Sequence, residues 1–274
     1  MYINGINIPE YFGKPYIEIC NNLPAFSEFP QDEKYKKLGS YERCGKEYII
    51  YSAYTCIKVE DLSSDISRTK ESNGISEIYP DKYDFIKEDG YLFNYCHLIA
   101  HQLLKEKLDK RNLIVGTRYM NERGMLPLEN EVRKYLEKKT RNHVLYRVTP
   151  ILNEGDQLVK GVQMEAYSVE DNGEGICFNK FVYNAQPGVA INYKEGKSKE
   201  DKEWHEKLFP NKIYTDEKKV YILNIATHKF HKRDCIESIC NEAKNIGENN
   251  KREIECPRQF LIDNGYKPCN NCNP

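Results

Sequence analysis

Two apolar segments, each studded with side chains suited to metal or phosphate chemistry, set the strongest limits on how this chain folds. The first is Asn94-Tyr95-Cys96-His97-Leu98-Ile99-Ala100 and the second is Asn112-Leu-Ile-Val-Gly-Thr-Arg-Tyr-Met-Asn121. An imidazole and two carboxamides spaced that closely can seat a hard metal and cut a phosphodiester. Glu88-Asp89-Gly90 reads as a hairpin-type turn leading toward His97, so the histidine is expected near a strand end. From Leu128 the apolar residues Leu128, Val132, Tyr135 and Leu136 recur at helical spacing, and Pro127 falls near the first helical position. That pattern predicts an amphipathic helix over 127–139. Asn121 and Glu129 are separated by about two helical turns, ~12 Å of rise with ~80° of offset. Gly124 and Pro127 interrupt a straight helix, which puts Asn121 at a kink or in the preceding turn.

The rest of the chain reads as an α+β fold with a central antiparallel sheet. Residues 1–45 hold Pro9, Pro15, Pro24 and Pro30 and suggest an irregular arm. Glu47 to Val59 is rich in Tyr, Ile and Val and predicts a strand. Residues 60–80 predict a loop. His143 to Leu152, Gly161 to Val169 and Phe178 to Asn184 are strand candidates split by Asn153-Glu-Gly-Asp156 and Asp171-Asn-Gly-Glu-Gly175 turns, a spacing that favours a meander. Residues 194–218 are dense in charge without apolar periodicity. We therefore expect a domain over 1–195, a charged linker over 196–218 and a small module over 219–274. A chain of 274 residues is long enough for one substantial core and one accessory module.

Charge narrows the partners. The 41 Lys plus Arg against 42 Asp plus Glu leave a net charge of -1, so any polyanion requires a local basic patch. No apolar run approaches the ~18 residues that span a bilayer, and no membrane partner is expected. Residues 1–10 have neither a basic n-region nor an apolar core, so no signal peptide is expected in this chain.

Five of the ten cysteines, Cys235, Cys240, Cys256, Cys269 and Cys272, crowd the last 40 residues, while Cys20, Cys44, Cys56, Cys96 and Cys177 are scattered as small apolar residues. The Cys269-Asn-Asn-Cys272 knuckle and the distant His231-Lys-Arg-Asp-Cys235 have the spacing of a tetrahedral Zn²⁺ site, which gives His231, Cys235, Cys269 and Cys272 as the ligand set. Two alternatives stand beside it. Export would turn these thiols into disulfides, or Cys240 or Cys256 would replace His231. Cys240 shares a helical face with Ile236, Ile239 and Ala243, which favours core packing for it.

A lone histidine at a strand end is more often structural than catalytic, but Asn112, Asn121 and Glu129 follow His97 closely. These blocks resemble the DNA/RNA non-specific endonucleases of the ββα-metal type, in particular the streptococcal and clostridial secreted-nuclease branch. The resemblance runs over roughly residues 8–195 and includes HLIA at 97–100, NLIVGTRYMN at 112–121, ENEVRKY at 129–135, NHVLYRVTPI at 142–151 and VEDNGEGICFNKFVYNAQPG at 169–188. It implies that His97 is the general base, that Asn121 is the single protein ligand of Mg²⁺ (or Mn²⁺), that Asn112 supports the site and that Glu129 holds a metal-bound water. It further implies hydrolysis of DNA and RNA without sequence preference, products ending in 5'-phosphate, and a leaning toward secretion. The C-terminal cluster likewise resembles a small zinc-binding-like module appended to other nucleases.

One departure matters. The family pattern carries an Arg in the pair before the histidine, where this chain has Asn94 and Tyr95, and a tyrosine supplies no permanent charge or bidentate phosphate clamp. Arg118 and Arg147 lie in matching blocks and are candidates to compensate. The competing expectation is a nucleic-acid-binding protein with a degenerate site, Tyr95 stacking on a base. A structural adaptor is the third. His101 would make a two-histidine metal site on a helix, but no Glu separates the pair as zinc proteases require; His143 and His205 have no supporting context.

Overall fold

The computed structural model describes residues 2–3, 6–26, 34–43, 46–64, 92–105, 109–201, 216–224, 227–233, 240–247, 251–263 and 266–274. Its larger unit lies within residues 1–208 and its smaller unit, among the described residues, within 216–274. The Glu88-Asp89-Gly90 turn lies outside the described residues.

Six antiparallel strands form the central sheet of the larger unit, in the order Tyr16–Glu18, Cys177–Tyr183, Gly161–Ser168, Val144–Ile151, Lys46–Ile57 and Tyr35–Arg43. The three central strands follow one another in the chain as the expected meander. Alternation along each strand divides the sheet into two faces. Val162, Met164 and Ala166 pack on one face with Val144, Tyr146, Val148, Phe178 and Val182. Onto that face falls the helix Leu126–Lys138, which contributes Leu128, Val132 and Leu136, all at most 1% exposed. Each such buried side chain stabilises the fold by roughly 1.5–3 kcal/mol.

The other face is covered by the N-terminal segment and combines a polar patch with a second apolar cluster, Phe181 and Tyr183 packed with Ile8, Ile19 and Ala185. Glu165 and Asn179 are both 1% exposed. Ala25 N donates to Glu165 Oε1 at 3.0 Å, Asn179 Nδ2 donates to Leu23 O at 2.9 Å, and Asn22 Oδ1 accepts from Asn179 N at 3.0 Å. Cys20, Asn21 and Asn22 all take positive φ, 52°, 55° and 60°, a run of left-handed residues that two asparagines tolerate better than most.

Two expectations need correction. Residues 1–45 are not wholly irregular, since Tyr16–Glu18 and Tyr35–Arg43 form the two sheet edges. An edge strand facing water on both sides lacks the apolar alternation that would reveal it. Lys197–Glu200, assigned to the linker, is a strand paired with Val189–Asn192. Residues 202–215 of that stretch lie outside the described residues.

The smaller unit is a four-stranded sheet, ordered Lys251–Pro257, Lys218–Asn224, Lys229–Lys232 and Lys267–Pro268, with the last pair parallel. Tyr221, Leu223 and Phe230 share one face and Ile222 lies on the other, each at most 3% exposed.

Gly161 tests the tightness of the central sheet. A Cβ there would sit 2.1 Å from the Val182 carbonyl oxygen, which is backbone and cannot swing aside. Gly161→Ala is expected to destabilise the larger unit by about 1–3 kcal/mol, read as a lower urea midpoint at unchanged slope.

Candidate functional site

His97 ends the strand Phe93–His97, which pairs antiparallel with Leu113–Thr117 so that His97 faces Leu113 and Tyr95 faces Val115. Tyr95 and His97 are two apart and share a strand face. The chain after His97 turns sharply, and Asn112 fixes that turn. Its Oδ1 accepts from Ile99 N at 2.9 Å, its Nδ2 donates to Ile99 O at 2.8 Å, and its own carbonyl accepts from Leu98 N at 2.8 Å. Asn112 is itself delivered by a short 3₁₀ turn that Asp109 caps, accepting from Arg111 N at 2.8 Å. Both halves of the Asn112 carboxamide are therefore engaged with backbone. It ties the strand Leu113–Thr117 to the turn after His97.

The second strand runs directly into the helix. Thr117, fully buried, donates its hydroxyl to Ala185 O at 2.6 Å and accepts from Met120 N at 3.0 Å, which ends the strand and caps the turn that follows. Met120–Met125 is a π-helical turn, and the Leu126 amide donates five residues back to Asn121 O. Such turns are rare and concentrate at functional positions. The helix then begins at Leu126 with Pro127 in its first turn. Asn121 thus sits in a wide turn before the helix, the second of the two placements its flanking Gly124 and Pro127 allowed. Gly124 is needed there because a Cβ would lie 2.2 Å from Val182 Cγ1.

Glu129 occupies the first turn of the helix and is only 4% exposed. Burial pushes its carboxyl up to about 8. The hydrogen bond it receives, from Gln102 Nε2, is long at 3.5 Å. Close by is the Tyr146 hydroxyl, buried without a hydrogen-bond partner and raised well above its ordinary pKa by burial and then by the Glu129 charge. Burial and then the same charge push the Cys96 thiol up to about 12. One helical turn on, Arg133 Nη1 donates to Ser63 O at 3.0 Å and to Gln102 O at 2.8 Å, tying the segment after His97 to the helix. His97 itself is half-buried, and burial together with neighbouring His101 holds its imidazole below the ordinary 6.5.

His97, Asn112, Asn121 and Glu129 therefore lie on one contiguous strand–strand–helix unit. The arginines are placed differently. Arg147 sits on the sheet's polar patch, where Nε donates to buried Glu165 Oε2 at 2.7 Å and Nη2 to Ala25 O at 2.8 Å, with the guanidinium 5.1 Å from the Phe26 ring centroid. Its charge is committed to holding the N-terminal segment. Arg118 Nε donates to Glu122 Oε1 at 2.9 Å, and its side chain is 41% exposed. His101 Nε2 lies 3.2 Å from Ser63 Oγ. Gln102, Arg133 and Tyr146 were not foreseen. Arg133 stands four residues after Glu129, a legible spacing, whereas nothing in the sequence marks Gln102 or Tyr146.

A second cluster occupies the smaller unit. The ligand atoms of His231, Cys240, Cys269 and Cys272, all buried, lie within 4.8 Å of one another. Cys240 Sγ is 3.5 Å from His231 Nδ1 and 3.6 Å from Cys269 Sγ, and Cys272 Sγ is 3.7 Å from His231 Nδ1. A disulfide needs sulfurs about 2.05 Å apart, so the Cys240–Cys269 spacing is that of two thiols. Cys240 joins this cluster as the residue before the helix Asn241–Lys244, whereas the sequence favoured core packing for it. Cys235 lies outside the described residues.

Residues 53–170 match the sequence profile of the family described as DNA/RNA non-specific endonuclease. They form a DNA/RNA non-specific endonuclease domain. NucA from Streptococcus agalactiae with magnesium ion bound is similar in fold, at 20% identity over 70% of this chain and 89% of that one, with a TM-score of 0.51. The same protein with no metal bound gives the same figures. Sda1 nuclease with bound zinc ion has 20% identity over 69% and 98%, with a TM-score of 0.48. No curated protein matches. The endonuclease domain includes His97, Asn112, Asn121 and Glu129, and no helix among the described residues is long and apolar enough to cross a membrane.

Because Asn112 holds a buried backbone segment through two hydrogen bonds, Asn112→Ala is expected to destabilise the domain by about 2 kcal/mol. Urea unfolding measures it, and a loss below about 0.5 kcal/mol would show that the turn after His97 is held by other contacts.

Proposed function

We propose that the endonuclease domain hydrolyses phosphodiester bonds of DNA and RNA without sequence preference, with Mg²⁺ or Mn²⁺ at Asn121 and Glu129 and with His97 as general base. The observation that carries this is Glu129, a carboxyl buried in the first turn of the helix beside an unpartnered buried hydroxyl and served by one long hydrogen bond. Such a group is costly to bury unless something charged or hydrated completes it. A hydrated hard cation fits, since it keeps most of its waters and needs few protein oxygens. Asn121 would supply the carboxamide oxygen, and Glu129 would accept from a metal-bound water. When bound, the cation supplies positive charge to the scissile phosphate and the leaving oxygen.

The protein's own residues do the rest. His97 remains neutral at physiological pH because burial disfavours its charged form, so Nδ1 or Nε2 is free to take a proton from water. Asn112 aims it by fixing the turn. Gln102 orients Glu129, and Arg133 holds Gln102. With Tyr95 uncharged and Arg147 committed to Glu165, the geometry favours a site weaker in phosphate clamping than the family pattern, and this favours as second reading a nucleic-acid-binding protein with a degenerate site. Plasmid incubated with Mg²⁺ separates the two readings. The enzyme reading expects nicking by the wild type and a drop of about 10²–10⁴-fold in His97→Ala. Retardation of the plasmid by both proteins without nicking sinks it.

The acid limb of the rate adds a check. A base whose pKa is lowered keeps its neutral form to lower pH, so kcat/KM is expected to fall only as pH drops through a value below 6.5. A pH–rate profile at saturating Mg²⁺ with its limb at or above 6.5 assigns the base elsewhere.

We further propose that the His/Cys cluster holds one structural Zn²⁺. Three thiolates and an imidazole suit zinc, and Zn–S of about 2.3 Å with Zn–N of about 2.0–2.1 Å sets tetrahedral ligand atoms about 3.5–3.8 Å apart, the spacing found here. The geometry favours Cys240 as fourth ligand; the His-x-x-x-Cys spacing favours Cys235. Metal analysis is expected to find about one zinc per chain, lost in Cys269→Ser. Zinc lost in Cys240→Ser and kept in Cys235→Ser supports the geometry, and the reverse restores the ligand set read from spacing.

A further inference from the structure

The strand Lys46–Ile57 is longer than its neighbour in the sheet. Only Ala53–Ile57 pair with Val144–Val148 among the described residues, whereas Lys46 to Ala53 pair with Tyr35–Arg43. Beyond Ala53 the two strands therefore continue as a two-stranded ribbon past the sheet. A ribbon of this kind is marginal in water by itself, yet this one presents Leu38 and Ile49, 42% and 43% exposed.

Its charge is unlike that of the whole chain. Residues 34–52 hold five Lys or Arg against two Glu, while the full sequence balances 41 against 42. Lys36 and Lys37 are exposed, and Tyr51, half-buried, stands opposite Lys37. The ribbon is also rooted at the candidate active site. Tyr35, 9% exposed, packs in the main core, and the Arg111 guanidinium lies 4.8 Å from its ring centroid. Arg111 directly precedes Asn112, whose carboxamide fixes the turn after His97.

We propose that this ribbon is a docking arm for nucleic acid, with Lys36, paired across with Ser52, and Lys37, paired across with Tyr51, reaching backbone phosphates from its two faces and with Leu38 and Ile49 against sugar and base surfaces. The identity of the polyanion rests on the nuclease reading. A balanced chain attracts a polyanion only through a local basic surface, and the ribbon is such a surface joined to the element that carries the histidine. A neutral Tyr95 and an occupied Arg147 leave more of the backbone contact to residues outside the catalytic unit.

The test measures binding apart from cutting. In a His97→Ala background, a fluorescent double-stranded oligonucleotide is titrated against Lys36→Glu/Lys37→Glu at several salt concentrations. The double variant is expected to bind at least about tenfold more weakly at low salt, with the log–log salt slope reduced by about two, since each phosphate contact contributes about 0.9. In the otherwise wild-type protein, KM rises while kcat holds. Unchanged affinity and slope overturn the proposal. So does a shift from dimer to monomer in Leu38→Asp/Ile49→Asp with oligonucleotide affinity intact, which makes the ribbon a contact between copies of this chain. Weaker binding by the lysine variant beside a wild type that never nicks plasmid upholds the arm and removes the nuclease reading.

Discussion

The two hydrogen bonds between the Asn112 carboxamide and the Ile99 backbone are the constraint on which the site depends. Without them nothing local obliges the chain to turn directly after His97, because Leu98 and Ile99 would extend an apolar strand as readily as leave it. With them, the following residues descend to the helix, where Arg133 receives the carbonyls of Ser63 and Gln102. Gln102 then reaches Glu129. The backbone segment after His97 and the Glu129 carboxyl are thereby linked by one series of hydrogen bonds that runs mostly through backbone. Backbone anchors limit rotamer freedom less expensively than a second layer of long side chains would.

The helix entry solves a related problem. A regular α-helix from Arg118 onward would carry Asn121 and Glu129 on faces separated by its 3.6-residue period. The π-turn Met120–Met125 widens the helix by one residue at that point and re-aims what precedes it. Thr117 and Gly124 make the turn possible, one by capping it and the other by letting it lie against Val182.

Sequence displayed the parts of this fold that alternate. The Val144–Ile151, Gly161–Ser168 and Cys177–Tyr183 strands were legible because each buries one clear apolar face, and the helix because Leu128, Val132 and Leu136 keep its period. Tyr35–Arg43 was not legible, since its charges and small residues follow the needs of an edge and not of a core. At the site, residue types and spacing marked His97, Asn112, Asn121 and Glu129 as candidates, but not what each one touches. Arg147 shows the limit: its sequence block resembled a phosphate contact, yet its strand position points it to the face opposite the helix, where Glu165 stands directly across on the neighbouring strand. Period-2 alternation decides that outcome, and the faces become assignable only after the sheet order is known. Cys240 was obscured in the same way, because apolar spacing favours packing until the Cys269–Cys272 knuckle is brought beside it.

Cations are scarce where the proposed chemistry needs them. Along the catalytic unit Tyr95 is neutral, Arg118 is paired with Glu122, and Arg147 is spent on the opposite face of the sheet. Burial pushes the Glu129 carboxyl up to about 8, so a bound cation would be what holds it as the carboxylate that accepts from a metal-bound water, and burial disfavours the charged form of His97. On the proposed reading, a bound cation carries a large share of the electrostatics, because Arg118 and Arg147 are committed to Glu122 and Glu165 and the cation acts in a partly water-excluded site. This also separates labour within the domain, with holding of the polyanion assigned to peripheral lysines and stabilisation of the reacting phosphate assigned to the metal.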